Sequence, residues 1–276
     1  MNTSFRFRVG NFECLAVADG SNHYQAESLF ANVPRNDYQK ALVAHGLDHE
    51  VLDIPYTPLV VNVHGYWVLV DTGAGRREGW PTGDLWRNLA DAGIDAGGIE
   101  LVIITHAHTD HIGGLTDSEG ILRYPNARYV MAKKDWDFWM SQVKSAEPGS
   151  ENFVQIIERN LGSIEQHVEL LNEERELLPG VRVIPAEGHT PGHRIVKFSS
   201  RGDELWSVGD ALIHPLHLQH LDWYTVYDLD PQGSLATKRS VLNEVGAETL
   251  IHAFHFPFPG IGHVSRCGEG WEWEAI

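Results

Sequence analysis

The chain has 276 residues, of which 42% are hydrophobic and 21% are charged, as in an ordinary soluble globular protein with room for a substantial core. Its formal net charge is −17, from 21 Lys and Arg against 38 Asp and Glu, and the basic residues form no cluster. This charge argues against nucleic acid or an anionic membrane as a partner. The sequence has neither an apolar run long enough for a transmembrane helix nor an apolar leader, so we expect a cytoplasmic protein.

The first part of the chain predicts strands at its start, followed by an irregular segment. Alternating polar and apolar residues predict strands at 5–9 and 12–18, followed by a turn at Asp19-Gly20. Residues 21–55 show no clear periodicity apart from a helix over 35–45. Substrate-facing loops and ordinary surface insertions both have such sequences, so both interpretations stay open here.

Two strands are then predicted at 57–63 and 66–70, joined by a hairpin turn at His64-Gly65. The second strand ends in Asp71, and the glycines that follow indicate a tight loop beside a polar site. A helix is predicted over 84–93, with one apolar face formed by Leu85, Trp86, Leu89 and Ala90.

The rest of the chain repeats this alternation of strands and helices. Apolar runs predict strands at 101–104, 129–131, 181–185, 194–198, 204–208 and 249–253, the last strand of the chain. Three-to-four spacing predicts helices at 133–144, 152–167 and 234–246. Because both halves contain strands and no low-complexity linker separates them, we expect one α/β domain over residues 1–276 with a layered, pseudo-duplicated core.

A dense group of metal-ligand side chains follows the predicted strand 101–104. Three histidines and an aspartate occur within six positions, namely His106, His108, Asp110 and His111. A catalytic metal centre needs several nitrogen and oxygen donors on a rigid support, which a strand end provides. A polar loop that contains histidines by chance is the alternative, since the chain has 16 of them. The alternation with an aspartate directly after a buried strand favours the metal site.

Three strands predicted in the second half are each followed by one further candidate ligand, namely His189, Asp210 and His255. His252 competes with His255 for the last position, but His252 falls inside its predicted strand. These residues are far apart in the sequence, so only the fold could bring them together. The set of strand ends is therefore more informative than any one motif.

In these motifs the chain resembles the metallo-β-lactamase superfamily. Residues 106–111 match its His-x-His-x-Asp-His signature at every position. The upstream stretch 70–73, the downstream stretch 188–193, the pair Gly209-Asp210 and the late His255 are also similar to this family. The resemblance covers roughly residues 57–263 and implies a four-layer αββα sandwich.

By this resemblance, two divalent metal ions would bind seven side chains. The first ion would be bound by His106, His108 and His189, the second by Asp110, His111 and His255, and Asp210 would bridge the two. Imidazole and carboxylate ligands favour Zn²⁺, and iron, manganese or cobalt suit the same geometry. A pair of ions about 3.5–4 Å apart can hold a bridging hydroxide as the nucleophile. Asp110 is also a candidate to pass a proton to the leaving group.

Other residues are expected to support the centre without binding metal. Asp71 is a candidate for orienting a ligand histidine, and capping of a turn is an equally good interpretation. His193 and His263 match family positions and are expected to be supporting groups. The remaining histidines are expected on the surface or in loops, with one of the last three a candidate for the pocket: His23, His45, His49, His64, His167, His214, His217 and His220.

The segment 253–263, together with residues 227–231, is similar to the branch of the superfamily that holds methyl parathion hydrolase and related lactonases. In that segment we expect an apolar pocket wall formed by Phe254, Phe256 and Phe258.

One position departs from the better-known N-acyl homoserine lactonases of the family. Those enzymes have a tyrosine three residues after the bridging aspartate, where this chain has Ile213. Tyr224 and Tyr227 are the candidates to replace it.

The sequence therefore predicts a dinuclear metal-dependent hydrolase that opens a lactone or cleaves an ester. N-acyl homoserine lactones and organophosphate triesters are candidate substrates, because an apolar pocket suits a small uncharged molecule. The alternatives are a glyoxalase II-like thioesterase and a mononuclear iron persulfide dioxygenase. The two cysteines, Cys14 and Cys267, are expected to be separate thiols, and a homodimer stays open.

Overall fold

The computed structural model describes residues 2–145 and 151–276, which form two large sheets and several helices. The first sheet has the order β1-β2-β5-β6-β7-β8-β9, with β1 Ser4–Val9, β2 Phe12–Val17, β5 Leu59–Val63, β6 Tyr66–Val70, β7 Ile99–Ile103, β8 Arg128–Ala132 and β9 Val168–Leu171. The second sheet follows sequence order, with β10 Arg175–Leu178, β11 Val181–Pro185, β12 Arg194–Ser200, β13 Asp203–Ser207, β14 Leu250–His252, β15 Ile261–Cys267 and β16 Gly270–Ala275. A separate two-stranded sheet pairs β3 Gly20–Gln25 with β4 Val51–Tyr56.

The helices are α1 Ala26–Leu29, α2 Arg35–Ala44, α3 Leu85–Asp91, α4 Thr109–Ile112, α5 Lys133–Lys144, α6 Glu151–Ile164, α7 Leu216–Gln219 and α8 Pro231–Glu244. Short 3-10 turns occur at Ala96–Gly98 and Gly209–Ala211. Among the residues that the structure describes, no helix is long and apolar enough to cross a membrane.

The layers follow from strands that are apolar on both faces. In β5 and β6, Val61 and Val68 face the second sheet, whereas Val60 and Leu69 face a layer of helices. Successive side chains of a strand point to opposite faces, so a continuous apolar run requires cover on both sides. Helices α3, α5 and α6 cover the first sheet, and α7 and α8 cover the second. The result is the predicted four-layer αββα sandwich.

Most predicted elements are present, and their ends differ by a few residues. The strand at 181–185 and the helix at 133–144 have the predicted bounds. The hairpin turn at His64-Gly65 is also confirmed, because both residues have a positive φ and Val63 pairs with Tyr66. Cys14 is buried and Cys267 is exposed, so the two thiols are separate as expected.

Two expectations about elements are wrong. The strand predicted at 249–253 is present as β14, but it is not the last strand, because β15 and β16 follow it and extend the second sheet. The predicted apolar face of α3 is only half buried. Leu85 and Leu89 are buried, whereas Ala90 and Trp86 are exposed. The ring of Trp86 lies beneath the guanidinium of Arg123. In the segment 21–55 the predicted helix is present as α2, and the structure adds β3, α1 and β4, which the sequence did not predict.

The sheet topology places the candidate ligands at one edge. Strands β6 and β7 run parallel, and so do β13 and β14. Carboxyl ends of parallel strands lie on the same side of a sheet, where open α/β folds bind their ligands. Asp71 follows β6 and the histidine-rich turn follows β7, while Asp210 and His255 follow β13 and β14.

Candidate metal centre

The histidine-rich turn is held tightly against the loop that follows β6. Thr72 N donates to the carbonyl of His111 over 2.7 Å, and the carbonyl of Gly73 accepts from Gly114 N. A Cβ on Gly114 would lie 2.0 Å from the Thr72 carbonyl oxygen. Only glycine permits so close an approach of two backbones. The Gly113-Gly114 pair therefore fixes the turn that carries the first four candidate ligands.

Four of the predicted side chains form a first group. Nδ1 of His108 lies 3.0 Å from Nε2 of His106 and 2.9 Å from Nε2 of His189. Asp210 Oδ2 is 3.2 Å from His189 Nε2 and 3.7 Å from His106 Nε2. A tetrahedral ion with bonds of about 2.0 Å would separate its ligand atoms by about 3.3 Å. The spacing of this group therefore matches a single bound ion.

The other three predicted side chains form a second group around the opposite oxygen of Asp210. Oδ1 of Asp210 lies 3.0 Å from His111 Nε2 and 3.3 Å from His255 Nε2. Oδ2 of Asp110 is 3.5 Å from His255 Nε2 and 4.0 Å from His111 Nε2. Asp210 thus presents one carboxylate oxygen to each group. Of the described residues, these two groups are the ones whose side chains could hold a metal ion.

Hydrogen bonds around the centre orient the inward ring nitrogens of four histidines. Three Nδ1 atoms face acceptors: His111 faces Asp71 Oδ2 at 2.8 Å, His189 faces Asp228 Oδ1 at 2.9 Å, and His255 faces the Pro55 carbonyl at 3.1 Å. His106 Nδ1 lies 3.1 Å from Thr105 Oγ1, whose own proton goes to Asp71. A neutral imidazole that donates from Nδ1 has a lone pair on Nε2. In their neutral forms these four imidazoles therefore point their lone pairs into the centre, as metal coordination requires.

Orphaned atoms at the centre support the same conclusion. His111 Nε2 and Asp210 Oδ1 are buried and lie 3.0 Å apart, but neither atom makes a hydrogen bond of acceptable geometry with this neighbour or with any other described residue. Nδ1 of His108 carries at most one proton, so it can donate to His106 or to His189 but not to both. Buried lone pairs without donors are costly. A cation within each group would satisfy them, so the residues present fit two metal ions.

Burial and neighbouring charges shift the pKa values of the side chains at the centre. Burial lowers the pKa of His106 well below its ordinary value and that of His108 to about 3. Burial opposes ionisation of Asp210, yet the surrounding imidazoles, His255 and His111 first, hold its pKa well below the usual range. Burial also opposes protonation of His189, but Asp210 and Asp228 raise its pKa to about 9. Metal binding to such a site would release protons.

The expected supporting roles of Asp71 and His193 agree with the contacts. Asp71 accepts from Thr105 N over 2.8 Å besides facing His111, so it both orients a histidine and fixes the turn. Nε2 of His193 accepts from Asp210 N over 3.0 Å, while its Nδ1 donates to the Ala186 carbonyl. His263 contacts the Thr249 carbonyl instead, so it supports β14 from a position apart from the two groups.

The structure separates His252 from His255 as the sequence predicts. His252 lies in β14, where its Nε2 donates to the Thr57 carbonyl over 2.7 Å and its Nδ1 accepts from Ser207. Both ring nitrogens of His252 are therefore already engaged. His255 lies three residues later, with its Nε2 beside Asp110 and Asp210.

Sequence reasoning missed two aspartates that organise the centre. Asp228 holds Nδ1 of His189 and is itself fixed by Thr225 N over 2.9 Å. Asp135, on α5, accepts from Ala107 N and from Gly192 N, which joins the turn after β7 to the turn after β11. Asp228 lies in the stretch 227–231 that resembles related lactonases, but its role was not assigned, and nothing in the local sequence marks Asp135, since aspartates before or within a helix are common.

A cavity of about 1090 Å³ opens directly onto the centre. Its floor contains Asp110, Asp210 and His255. Its apolar wall comes from Leu29, Ile54, Phe153, Ile156, Ile213 and Tyr227. The segment 21–55 therefore contributes to a pocket, and Tyr227 rather than Tyr224 lines it.

Two expectations about the pocket are wrong. Phe254 lies behind the centre, stacked on His111 with ring centroids 4.0 Å apart, and Phe256 packs against Trp273 in the core. Neither these two nor Phe258 lines the cavity. His214 and His217 are buried beneath Phe30 and not in exposed loops, and His220 stacks on Trp223. The path of the chain after Asp210 determines where these three histidines lie, and no local sequence pattern specifies that path.

Comparison with known proteins places this geometry in a family. Residues 55–251, well over half of the chain, match the family model for the metallo-beta-lactamase superfamily. The chain belongs to the metallo-beta-lactamase superfamily. Six of the seven clustered side chains lie inside the matched range, and His255 lies just beyond it. The family and the His/Asp cluster together support a metal-dependent hydrolase.

Individual superfamily members show how far the similarity extends. The chain is 28% identical over 187 residues to a probable metallo-hydrolase, YflN, of Bacillus subtilis (strain 168), which is 64% of this chain and slightly less than two thirds (66%) of that protein. AidC, a dizinc quorum-quenching lactonase solved with the product N-hexanoyl-L-homoserine, superposes with a TM-score of 0.91 at 26% identity, over 100% of this chain and 99% of AidC. A probable metal-dependent hydrolase from Staphylococcus aureus gives a TM-score of 0.82 at 22% identity, over 98% and 99% of the two chains, and shows the fold alone.

Proposed function

We propose that this protein is a dinuclear metal-dependent hydrolase that opens lactones or cleaves esters. The observation that carries the proposal is the carboxylate of Asp210, which presents Oδ1 to His111 and Oδ2 to His189. A carboxylate that faces two separate groups of ligand atoms is suited to bridge two ions.

The seven assigned ligands are those that the sequence predicts. His106, His108, His189 and Asp210 would hold one ion, and Asp110, His111, His255 and Asp210 the other. Five imidazoles and two carboxylates favour Zn²⁺, and iron, manganese or cobalt accept the same donors. Two such ions, when bound, supply Lewis acidity at the electrophile and a water that is acidic near neutral pH.

The protein's own residues supply position, shape and a proton carrier. The apolar wall around Ile54 and Ile213 suits an uncharged acyl chain, and the polar floor suits an ester carbonyl. Asp110 is partly exposed to the cavity, so its carboxylate can pass a proton to the leaving oxygen as well as bind metal. The similarity to a quorum-quenching lactonase favours N-acyl homoserine lactones, with organophosphate triesters as a further class.

The test is an activity panel on metal-loaded protein, combined with elemental analysis. The panel contains N-hexanoyl homoserine lactone, a 4-nitrophenyl ester, a paraoxon-type triester and a glutathione thioester. We expect close to two transition-metal ions per chain and turnover of the lactone or the ester. Turnover of the thioester alone would replace the proposal with a glyoxalase II-like thioesterase. One iron per chain, with no second ion, would favour a persulfide dioxygenase.

A further inference from the structure

Two tyrosines meet at the edge of the cavity, and their arrangement bears on how a substrate is held. The hydroxyl of Tyr24, on β3, lies 2.6 Å from the hydroxyl of Tyr56, at the end of β4. Tyr24 lines the cavity together with Asp110 and His255. A role of this pair in catalysis rests on the proposed hydrolysis of a lactone or ester.

The direction of this hydrogen bond follows from burial. Tyr56 is fully buried, and among the described residues its hydroxyl has Tyr24 as its hydrogen-bond partner. A buried hydroxyl proton needs an acceptor, and the oxygen of Tyr24 is the one within reach. Tyr56 therefore donates to Tyr24, which leaves the proton of Tyr24 free to point into the cavity.

Rigid neighbours hold both rings in place. Tyr56 packs edge-on against His255 with centroids 5.6 Å apart and stacks on Phe254 at 6.2 Å. The ring of Tyr24 meets the ring of Tyr227 edge-on at 5.8 Å. The tyrosine pair therefore contacts the metal centre through the packing of Tyr56 against His255. Burial, followed by the charge of Asp110, raises the pKa of Tyr24, so the phenol keeps its proton.

We propose that Tyr24 is a catalytic hydrogen-bond donor, which binds the carbonyl oxygen of the substrate and the negative charge that develops on it. Three residues after Asp210, the chain places the apolar Ile213 in the same cavity, and this side chain has no hydrogen-bond donor. Tyr24 supplies a phenol to this cavity from a different element, the β3–β4 hairpin. Tyr56 is its positioning residue, because it fixes the oxygen of Tyr24 by donating to it.

The first experiment compares Tyr24→Phe with the wild type on N-hexanoyl homoserine lactone. We expect kcat to fall about tenfold to a hundredfold with little change in KM, because the lost interaction is strongest with the developing oxyanion. Metal content and melting temperature should stay at the wild-type values. Tyr66→Phe, which alters an exposed tyrosine on β6, is the matched control and should leave kcat unchanged.

The second experiment measures the coupling of the pair. Tyr56→Phe should lower kcat by less than Tyr24→Phe, and the double variant should resemble Tyr24→Phe, since both changes act through one hydroxyl. An unchanged kcat in Tyr24→Phe, a loss of metal in that variant, or multiplicative effects in the double variant would overturn the inference. A wild type that turns over neither lactone nor ester would instead overturn the proposed function, and this result appears before any variant is measured.

Discussion

The carboxylate of Asp71 accepts a hydrogen bond from Nδ1 of His111 at 2.8 Å, and this contact directs the other ring nitrogen toward the metal centre. Asp71 holds this position with a positive φ of 59°, which is uncommon for a residue other than glycine. In Asp71→Asn an amide N–H can replace the acceptor, which would reverse the tautomer and place a proton on Nε2. We expect the affinity for one of the two ions to fall about tenfold to a hundredfold, measured by metal titration.

The matched control for this change is Asp91→Asn, which alters an exposed aspartate at the end of α3. It removes the same charge without touching the centre, so metal affinity should stay at the wild-type value. Equal affinities in Asp71→Asn and the wild type would show that Asp71 serves only the turn.

Asp228 has the same relationship to His189, with Oδ1 2.9 Å from Nδ1. We expect Asp228→Asn to lower the affinity for the ion held by the first group of ligands. Asp71→Asn should lower the affinity for the ion held by the second group. Elemental analysis after dialysis should therefore find about one ion per chain in either variant and none retained in the double variant. Two retained ions in the double variant would contradict the assigned ligand groups.

Backbone packing at the turn predicts a large effect of one methyl group. In Gly114→Ala the added Cβ would lie 2.0 Å from the Thr72 carbonyl oxygen, so the two loops would have to separate. We expect the free energy of unfolding to fall by about 2–4 kcal/mol, measured by urea denaturation. Gly162→Ala on α6 is the control, because no atom lies within 4 Å of its Cβ and alanine favours a helix.

The buried histidine His214 predicts a dependence of stability on pH. Burial, followed by the charge of His45, lowers its pKa to about 4, against 6.5 for an ordinary imidazole. Between these values the unfolded chain takes up a proton that the folded chain does not, so stability falls as the pH drops through this window. The loss approaches about 1.4 kcal/mol per pH unit for this one group.

The variant His214→Asn tests this origin of the pH dependence. The amide oxygen can replace Nδ1 as acceptor for Leu216 N, but the side chain does not titrate. Unfolding by urea at pH 4 to 7 should show a weaker dependence in this variant than in the wild type. His167→Gln, at an exposed position, should keep the wild-type dependence. An equal slope in all three proteins would exclude His214 as a contributor.

The apolar wall of the cavity predicts a preference for longer acyl chains. Ile156 lines the cavity from α6, whereas Val154 on the same helix does not. We expect Ile156→Ser to lower kcat/KM for a decanoyl lactone about tenfold or more, with a smaller effect on a butanoyl lactone. Val154→Ser should change neither value, and equal losses on both lactones would remove Ile156 from the acyl-chain site.

Much of the fold and of the centre could be predicted from local sequence, because the physical signals are local. Doubly apolar strands such as 57–63 require cover on both faces, which determines a layered sandwich. The spacing of His106, His108 and His111 after a buried strand determines a group of donors on a rigid support. His255 was separable from His252 because one follows a strand and the other lies within it.

The tertiary structure alone decided which side chains meet across the chain. Asp228 contacts His189, and Tyr24 contacts Tyr56, over separations of 39 and 32 residues that no local pattern reports. The pocket wall likewise depends on how the 21–55 segment folds over the centre, so Phe254 is buried behind His111 while Ile54 faces the cavity. Hydrophobic burial is non-directional, so a sequence predicts that an aromatic side chain is covered but not by which neighbour.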